Sequence, residues 1–237
     1  MNDNLMNDNL TWRPILSNLV EASVEISELA EHLHYLTFGE VPEGSVLDIA
    51  THAHIERKRP LTEFSLFVDL GHALHHLNWA WNIRHEEESR VRKFCDSDAE
   101  RWGKLPRDSP FADLWPKEAL TSTAQLDGED KALDIAGIRM FILTADVKLQ
   151  SLVYRVSRQI DKGSDNAIPR FISFTPKNAD APLTEEDYGK KLHLIYSNIN
   201  GAWNNRYGTL KEVTSETFDE YIKFSPDFAH GSYNMWI

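Results

Sequence analysis

The sequence predicts a mainly all-α fold: a bundle of about four long helices, with irregular Pro- and Gly-containing connections and at most a minor β element. Two observations predict it. Apolar residues recur at steps of three and four in four separate segments. Cap and breaker residues stand at the ends of those segments.

The first helix is expected to begin near Pro14, which suits a first-turn position. Leu19, Ala22, Ile26, Leu29, Ala30 and Leu33 form its apolar stripe, and Gly39, with Pro42 and Gly44 beyond, ends it. The stretch 41–60 reads as loop with at most one short element, in SVLDIATHAHI. Thr62 is the expected N-cap of the second helix, which runs to about Phe94. Its main stripe is Phe67, Leu70, Leu74, Leu77 and Trp81; Phe64, Val68 and Trp79 lie nearly opposite. A helix apolar on both sides is central and buried. Beyond Arg84, HEEESRVRK reads as a solvated continuation. Residues 96–128 are expected to be irregular, with a short helix opening at Ser109-Pro110.

A third long helix is predicted over about 129–160, on the stripe Ile135, Ile138, Ile142, Ala145, Leu149, Leu152, Val156. IPRFISF (168–174) is a short strand or an extended linker. Thr184 and Asp187 resemble a capping box, opening a fourth helix that turns Tyr188, Leu192, Ile195, Ile199 and Trp203 to the core. Ser215 caps a short final helix, followed by an irregular tail. Residues 1–12 are expected as a poorly ordered N-terminus, and 13–237 as a single helical domain. The repeat of MNDNL at the start reads as a short duplication without functional weight.

Hydrophobic residues are 41% and charged residues 26%, an ordinary globular composition. A chain of this length buries roughly 70–75% of its unfolded surface and needs no staples. The net charge of −12 repels nucleic-acid phosphates and anionic membranes over the average surface. Nucleic acid is therefore not an expected partner; a basic protein is compatible. Cys95 is the only cysteine, so no internal disulfide forms. No apolar run approaches the ~20 residues of a bilayer span, and the N-terminus lacks the basic and apolar regions of a signal peptide. A cytoplasmic location with no membrane association is the expectation.

One side-chain spacing occurs twice. An acid is followed by a metal-capable group three residues on and a histidine four beyond: Glu25, Glu28, His32, and again Asp69, His72, His76. Residues at i, i+3 and i+7 share a helical face, so two helices could offer each other short rows of ligands. Glu25 and Glu28 suit joint binding of a divalent cation; the plain alternative is a solvated face. Glu31 and His34 form a similar pair on another part of the surface. Asp69 beside His72 can ligate a metal, fix the imidazole tautomer or act as a general base. The alternative is a core Asp–His hydrogen bond. His75 points away and counts as packing. His52 and His54 form an H-x-H that could bind zinc or copper, or be incidental. Cys95 has no argument for a nucleophilic role. SNINGAWNNRYG (197–208), with Asn198, Asn204 and Arg206, is either a weak substrate-binding segment or a frayed helix end. Glycine-rich phosphate loops, G-x-S-x-G, H-E-x-x-H and CxxC are all missing from the sequence.

SVEISEL (23–29) and DLGHALHHL (69–77) together resemble the all-α nucleoside triphosphate pyrophosphohydrolases, the MazG type and the dimeric dUTPases. That family carries E-x-x-E on one helix and E-x-x-D on a later one. Glu25 and Glu28 match the first motif, Asp69 matches the acid of the second, and His72 falls where the family has aspartate. The resemblance spans about fifty residues in two pieces. It implies a homodimer, and a magnesium site bridging a triphosphate that is cleaved to a monophosphate and pyrophosphate. It also implies Glu25, Glu28 and Asp69 as ligands. Three features depart from the family: a histidine replaces a carboxylate, the gap from Glu28 to Asp69 is longer, and no lysine-bearing motif is evident. Magnesium prefers oxygen ligands. Magnesium or manganese is expected if the site is hydrolytic, and iron or zinc if the histidines ligate.

Three functional readings follow. The first is a metal-dependent hydrolase of a nucleotide-like substrate, with Glu28, Asp69 and His72 as catalytic groups and Glu25, Glu28, Asp69, His72 and His76 as metal ligands. The second is a noncatalytic acidic interaction or inhibitor protein, in which the Asp–His groups serve structure. The third is a carboxylate–histidine redox protein, whose usual E-x-x-H spacing these two rows do not meet.

Overall fold

The structure, a computed structural model, describes residues 10–39, 60–108, 110–111, 131–161, 172, 175–176 and 181–208. Within them the fold is all-α, with six helices and no strand. The helices are α1 (Trp12–Phe38), α2 (Glu63–Asn82), α3 (Glu88–Val91), α4 (Asp96–Trp102), α5 (Ile135–Ile160) and α6 (Glu185–Asn204). No helix among the described residues is long and apolar enough to cross a membrane.

The four long helices pack side by side in the order α2, α1, α5, α6, and α6 touches α2 lightly to close the bundle. Every neighbouring pair is antiparallel. Glu25 meets His72 while Asn18 meets His76 across α1 and α2. Ser27 meets Asp146 while His34 meets Arg139 across α1 and α5. Gly201 abuts Phe141 while Gly137 abuts Asn205 across α5 and α6. The stripes read from the sequence line the core: Leu19, Ala22, Ile26 and Leu33 of α1, Leu70, Leu74 and Leu77 of α2, Ile142, Leu149 and Val156 of α5, and Tyr188, Ile195 and Ile199 of α6 are all fully buried. Burying a Leu or Ile side chain contributes about 1.5–3 kcal/mol, so these stripes hold the bundle together.

The helix ends differ from expectation, each for a tertiary reason. α1 begins at Trp12, two residues before Pro14, because Thr11 is fixed from outside the helix. Its amide donates to the Arg84 carbonyl at 2.9 Å and its hydroxyl to the Glu86 carbonyl at 2.6 Å. α2 stops at Asn82 instead of continuing to Phe94. Arg84 turns back there, with a guanidinium N–H on the Trp81 carbonyl at 3.0 Å and others on Glu185 at 2.6 Å and Asp108 at 2.7 Å. The irregular reading of 96–128 missed α4. Its start is capped when the Cys95 amide and thiol both donate to the Asp98 carboxylate at 3.1 Å, and its end is anchored by the buried Trp102.

α5 starts at Ile135 rather than near 129, because Asp134 accepts the Gly137 amide at 3.0 Å as N-cap. Thr62 and Thr184 cap α2 and α6 as predicted. Gly39 closes α1 with φ 76° and its amide on the Tyr35 carbonyl at 2.7 Å, a left-handed turn that glycine takes without strain. The second apolar side of α2 is covered only near its C-terminal end. Trp79 packs edge-on against Trp102 and Phe94, while Phe64 remains 62% exposed. Of the helix expected at Ser109-Pro110, only Pro110 and Phe111 are described, and they form a turn with the Phe111 amide on the Asp108 carbonyl at 2.8 Å; the helix expected at Ser215, nearly all of the 168–174 strand candidate, His52 and His54 lie outside the described residues.

Candidate functional site

The two ligand rows lie on the seam between α1 and α2. Glu25 Oε1 stands 3.7 Å from His72 Nδ1, and each side chain is 33% exposed. Towards the N-terminus of α1, His76 Nδ1 faces Asn18 Oδ1 at 3.4 Å. The same register puts Glu28 and Asp69, both half-buried, at the next level of the seam beyond Glu25 and His72. His32 follows one turn further along α1. Sequence positions 47 residues apart are thus brought together by one antiparallel helix pair.

Burial sets the protonation of this seam. Desolvation, and then the neighbouring Glu21 charge, raise the Glu25 carboxyl above its ordinary value. Desolvation lowers the His72 imidazole. Both shifts run opposite to those an ion pair produces, so at this 3.7 Å separation burial outweighs attraction and His72 is neutral at neutral pH. His76 is lowered by burial, partly opposed by Glu21. His75 is lowered to about 4 by burial, with His76 and His72 adding to the effect. Its ring packs against Trp79 at 5.9 Å and the Gly103 turn, where an added Cβ would come within 3.2 Å of it. Neutral imidazole is the form that ligates metals. Among the described residues, no set of three or more His, Cys, Asp or Glu side chains is arranged to hold a metal ion as the side chains stand.

The other expected residues fall elsewhere. Asn198 is buried and donates to the Leu194 carbonyl at 2.6 Å, inside its own helix. Asn204 is half-buried at the last turn of α6. Arg206 Nε donates to Glu63 Oε1 at 2.7 Å, in a pair only 16% and 14% exposed, and its guanidinium stacks on Trp203 at 4.1 Å. That arginine ties the end of α6 to the start of α2. His34 accepts from Arg139 at 3.2 Å on the opposite seam of α1. Cys95 is exposed and serves as the N-cap of α4.

Sequence reasoning missed a second polar seam, between α1 and α5. Ser27 donates to Asp146 Oδ1 at 2.6 Å, and Gln150 donates to both carboxylate oxygens at 3.0 Å. Burial raises the Asp146 carboxyl, and these bonds only partly offset it. The signal was present as matched polar breaks in two stripes: Ser23 and Ser27 at i, i+4 in one, Asp146 and Gln150 at i, i+4 in the other. Asn18 was missed in the same way.

Comparison with known proteins finds no match among family models, curated proteins or solved structures.

Proposed function

We propose that the chain is a metal-dependent hydrolase acting on a nucleotide-like phosphoanhydride, with its site on the α1–α2 seam. The observation that carries this reading is the approach of Glu25 and His72 to 3.7 Å from opposite helices, with each belonging to a row of ligand-type residues. Glu25, Glu28, Asp69 and His72 are the residues that would hold the cation, with His76 flanking them. Three carboxylates and a neutral imidazole suit manganese, iron or zinc better than magnesium, which favours oxygen throughout. A bound cation supplies Lewis-acid polarisation of a phosphoryl oxygen. The protein's own contribution is a neutral His72 ring, the form of imidazole that ligates a cation, beside a Glu25 carboxylate that burial makes more basic.

Metal uptake and nucleoside triphosphate hydrolysis by wild type and the Asp69→Ala/His72→Ala double variant test the reading. The expected result is manganese or zinc binding and pyrophosphate release in the wild type, both lost in the double variant. Wild-type protein that takes up none of magnesium, manganese or zinc and cleaves no triphosphate overturns it.

A second reading, a noncatalytic acidic protein for a basic partner, is supported by how fully the neighbouring groups are used in packing. His75 sits against Trp79, His76 faces Asn18 and Arg206 pairs with Glu63. Under that reading the double variant loses stability and the wild type binds no metal.

A further inference from the structure

The seam between α5 and α6 carries a different charge pattern. Phe141 abuts Gly201 and Gly137 abuts Asn205, which sets the antiparallel register of the two helices. Carried along the pair, that register places Lys191 opposite Ser151, midway between Lys148 and Arg155. Lys148 and Arg155 are seven residues apart on α5 and share its face. All four side chains are half-buried. Desolvation lowers the Lys191 ammonium, and the charges of Arg155 and Lys148 lower it further. One acid, the exposed Asp187, opposes this, with less weight than Arg155. Among the described residues, none of the three cations makes an ion pair with a carboxylate. Arg155 Nε is buried with no hydrogen-bond partner, and another guanidinium N–H reaches the Ala181 carbonyl only at 3.5 Å.

This arrangement costs stability in the free protein. Like charges held together at partial burial repel more strongly than in open solvent. The chain has 37 acidic residues against 25 basic ones, yet a serine stands where a carboxylate would neutralise the cluster. Elsewhere Arg84, Arg90, Arg101, Lys190 and Arg206 are each paired with an acid. Two ammonium groups, a guanidinium with an unused N–H and a hydroxyl match the several acceptor oxygens of a multiply charged tetrahedral anion better than the two of a single carboxylate.

We propose that Lys148, Ser151, Arg155 and Lys191 form a binding site for a phosphate group, free or as a phosphomonoester, on the α5–α6 seam. It is separate from the α1–α2 seam and does not rest on the hydrolase reading.

The test is calorimetric titration of the full chain with inorganic phosphate and, separately, phenyl phosphate, against chloride at matched ionic strength. Wild type is compared with Lys191→Gln and Lys148→Gln, two half-exposed positions outside the apolar core. Saturable binding in the wild type is expected, weakened about tenfold or more by each substitution, as loss of one charge-assisted hydrogen bond predicts. Tighter binding of phenyl phosphate assigns a phosphomonoester; tighter binding of the inorganic ion assigns free phosphate. A second readout is independent of ligand affinity. At low salt and without phosphate, Lys191→Gln raises the Tm of the free protein by relieving repulsion. Failure of both probes to saturate, or equal binding by wild type and both variants, overturns the proposal.

Discussion

Asp146 carries a carboxyl that burial holds above its ordinary value of 3.8, even though Ser27 and Gln150 donate to it. An acid whose folded pKa is raised contributes stability below its unfolded pKa and loses it as pH rises through the folded one. At neutral pH the ionised group therefore burdens the fold. Asp146→Asn keeps an oxygen that accepts from Ser27 and removes the charge. Its thermal stability is expected to exceed wild type at neutral pH, with the difference shrinking towards pH 3.8 as the wild-type carboxyl is protonated. Asp146→Ala leaves the Ser27 and Gln150 donors without an acceptor and costs about 1–3 kcal/mol. Melting curves of the three proteins across that pH range check the order; an Asn variant less stable than wild type at neutral pH would show that the carboxylate's hydrogen bonds outweigh its desolvation.

Helix pairs depend on how closely their backbones approach. A Cβ at Gly201 of α6 would come within 2.5 Å of the Phe141 ring of α5. Alanine gains about 1 kcal/mol over glycine in a helix interior, but forcing atoms into a filled interface costs about 1–3 kcal/mol. Gly201→Ala is expected to lose stability by about 1 kcal/mol or more, and Phe141→Leu in the same chain to restore part of it. Denaturant midpoints for the single and double variants decide this; a Gly201→Ala protein as stable as wild type means the ring gives way. The glycine was visible in the sequence, but its reason was not, because the obstructing ring lies 60 positions away.

The same distinction governs how much of the fold could be read in advance. The four stripes were legible because helical period is a local property. The end of α2 was not, because Arg84 bonds to Asp108 and Glu185, residues that only the folded chain brings near. α4 was overlooked because its seven residues depend on a buried Trp102 packed on Trp79. For the site, the two ligand rows were legible from spacing, while their facing register and the Asn18 contact required the packed pair.

For the whole molecule, acid sensitivity follows from three histidines within two turns of α2. His72, His75 and His76 are all lowered from 6.5, His75 to about 4. A base whose folded pKa is depressed leaves the unfolded chain binding more protons, so stability present above 6.5 is lost as pH falls towards 4. Glu25 and Asp146 act in the opposite sense, because their raised carboxyls take up protons earlier in the folded state. Their contribution begins at their ordinary values of 4.5 and 3.8 and runs upward from there, so it opposes the histidines from the lower end of the window. The bundle is expected to be most stable at neutral pH or above and to weaken steadily below 6.5. His75, packed against Trp79 and Gly103, supplies the largest single part, on the order of 2 kcal/mol once its partial contact with solvent is allowed for. His75→Gln removes that titration while keeping a polar side chain of similar reach. Urea unfolding at about pH 7.5 and about pH 4.5 measures the difference as a midpoint shift at constant slope. A smaller acid-induced loss in the variant than in wild type is the expected outcome. Equal losses would mean that His75 opens to solvent before it is protonated, and that carboxylate pairs such as Arg84–Glu185 control acid unfolding instead.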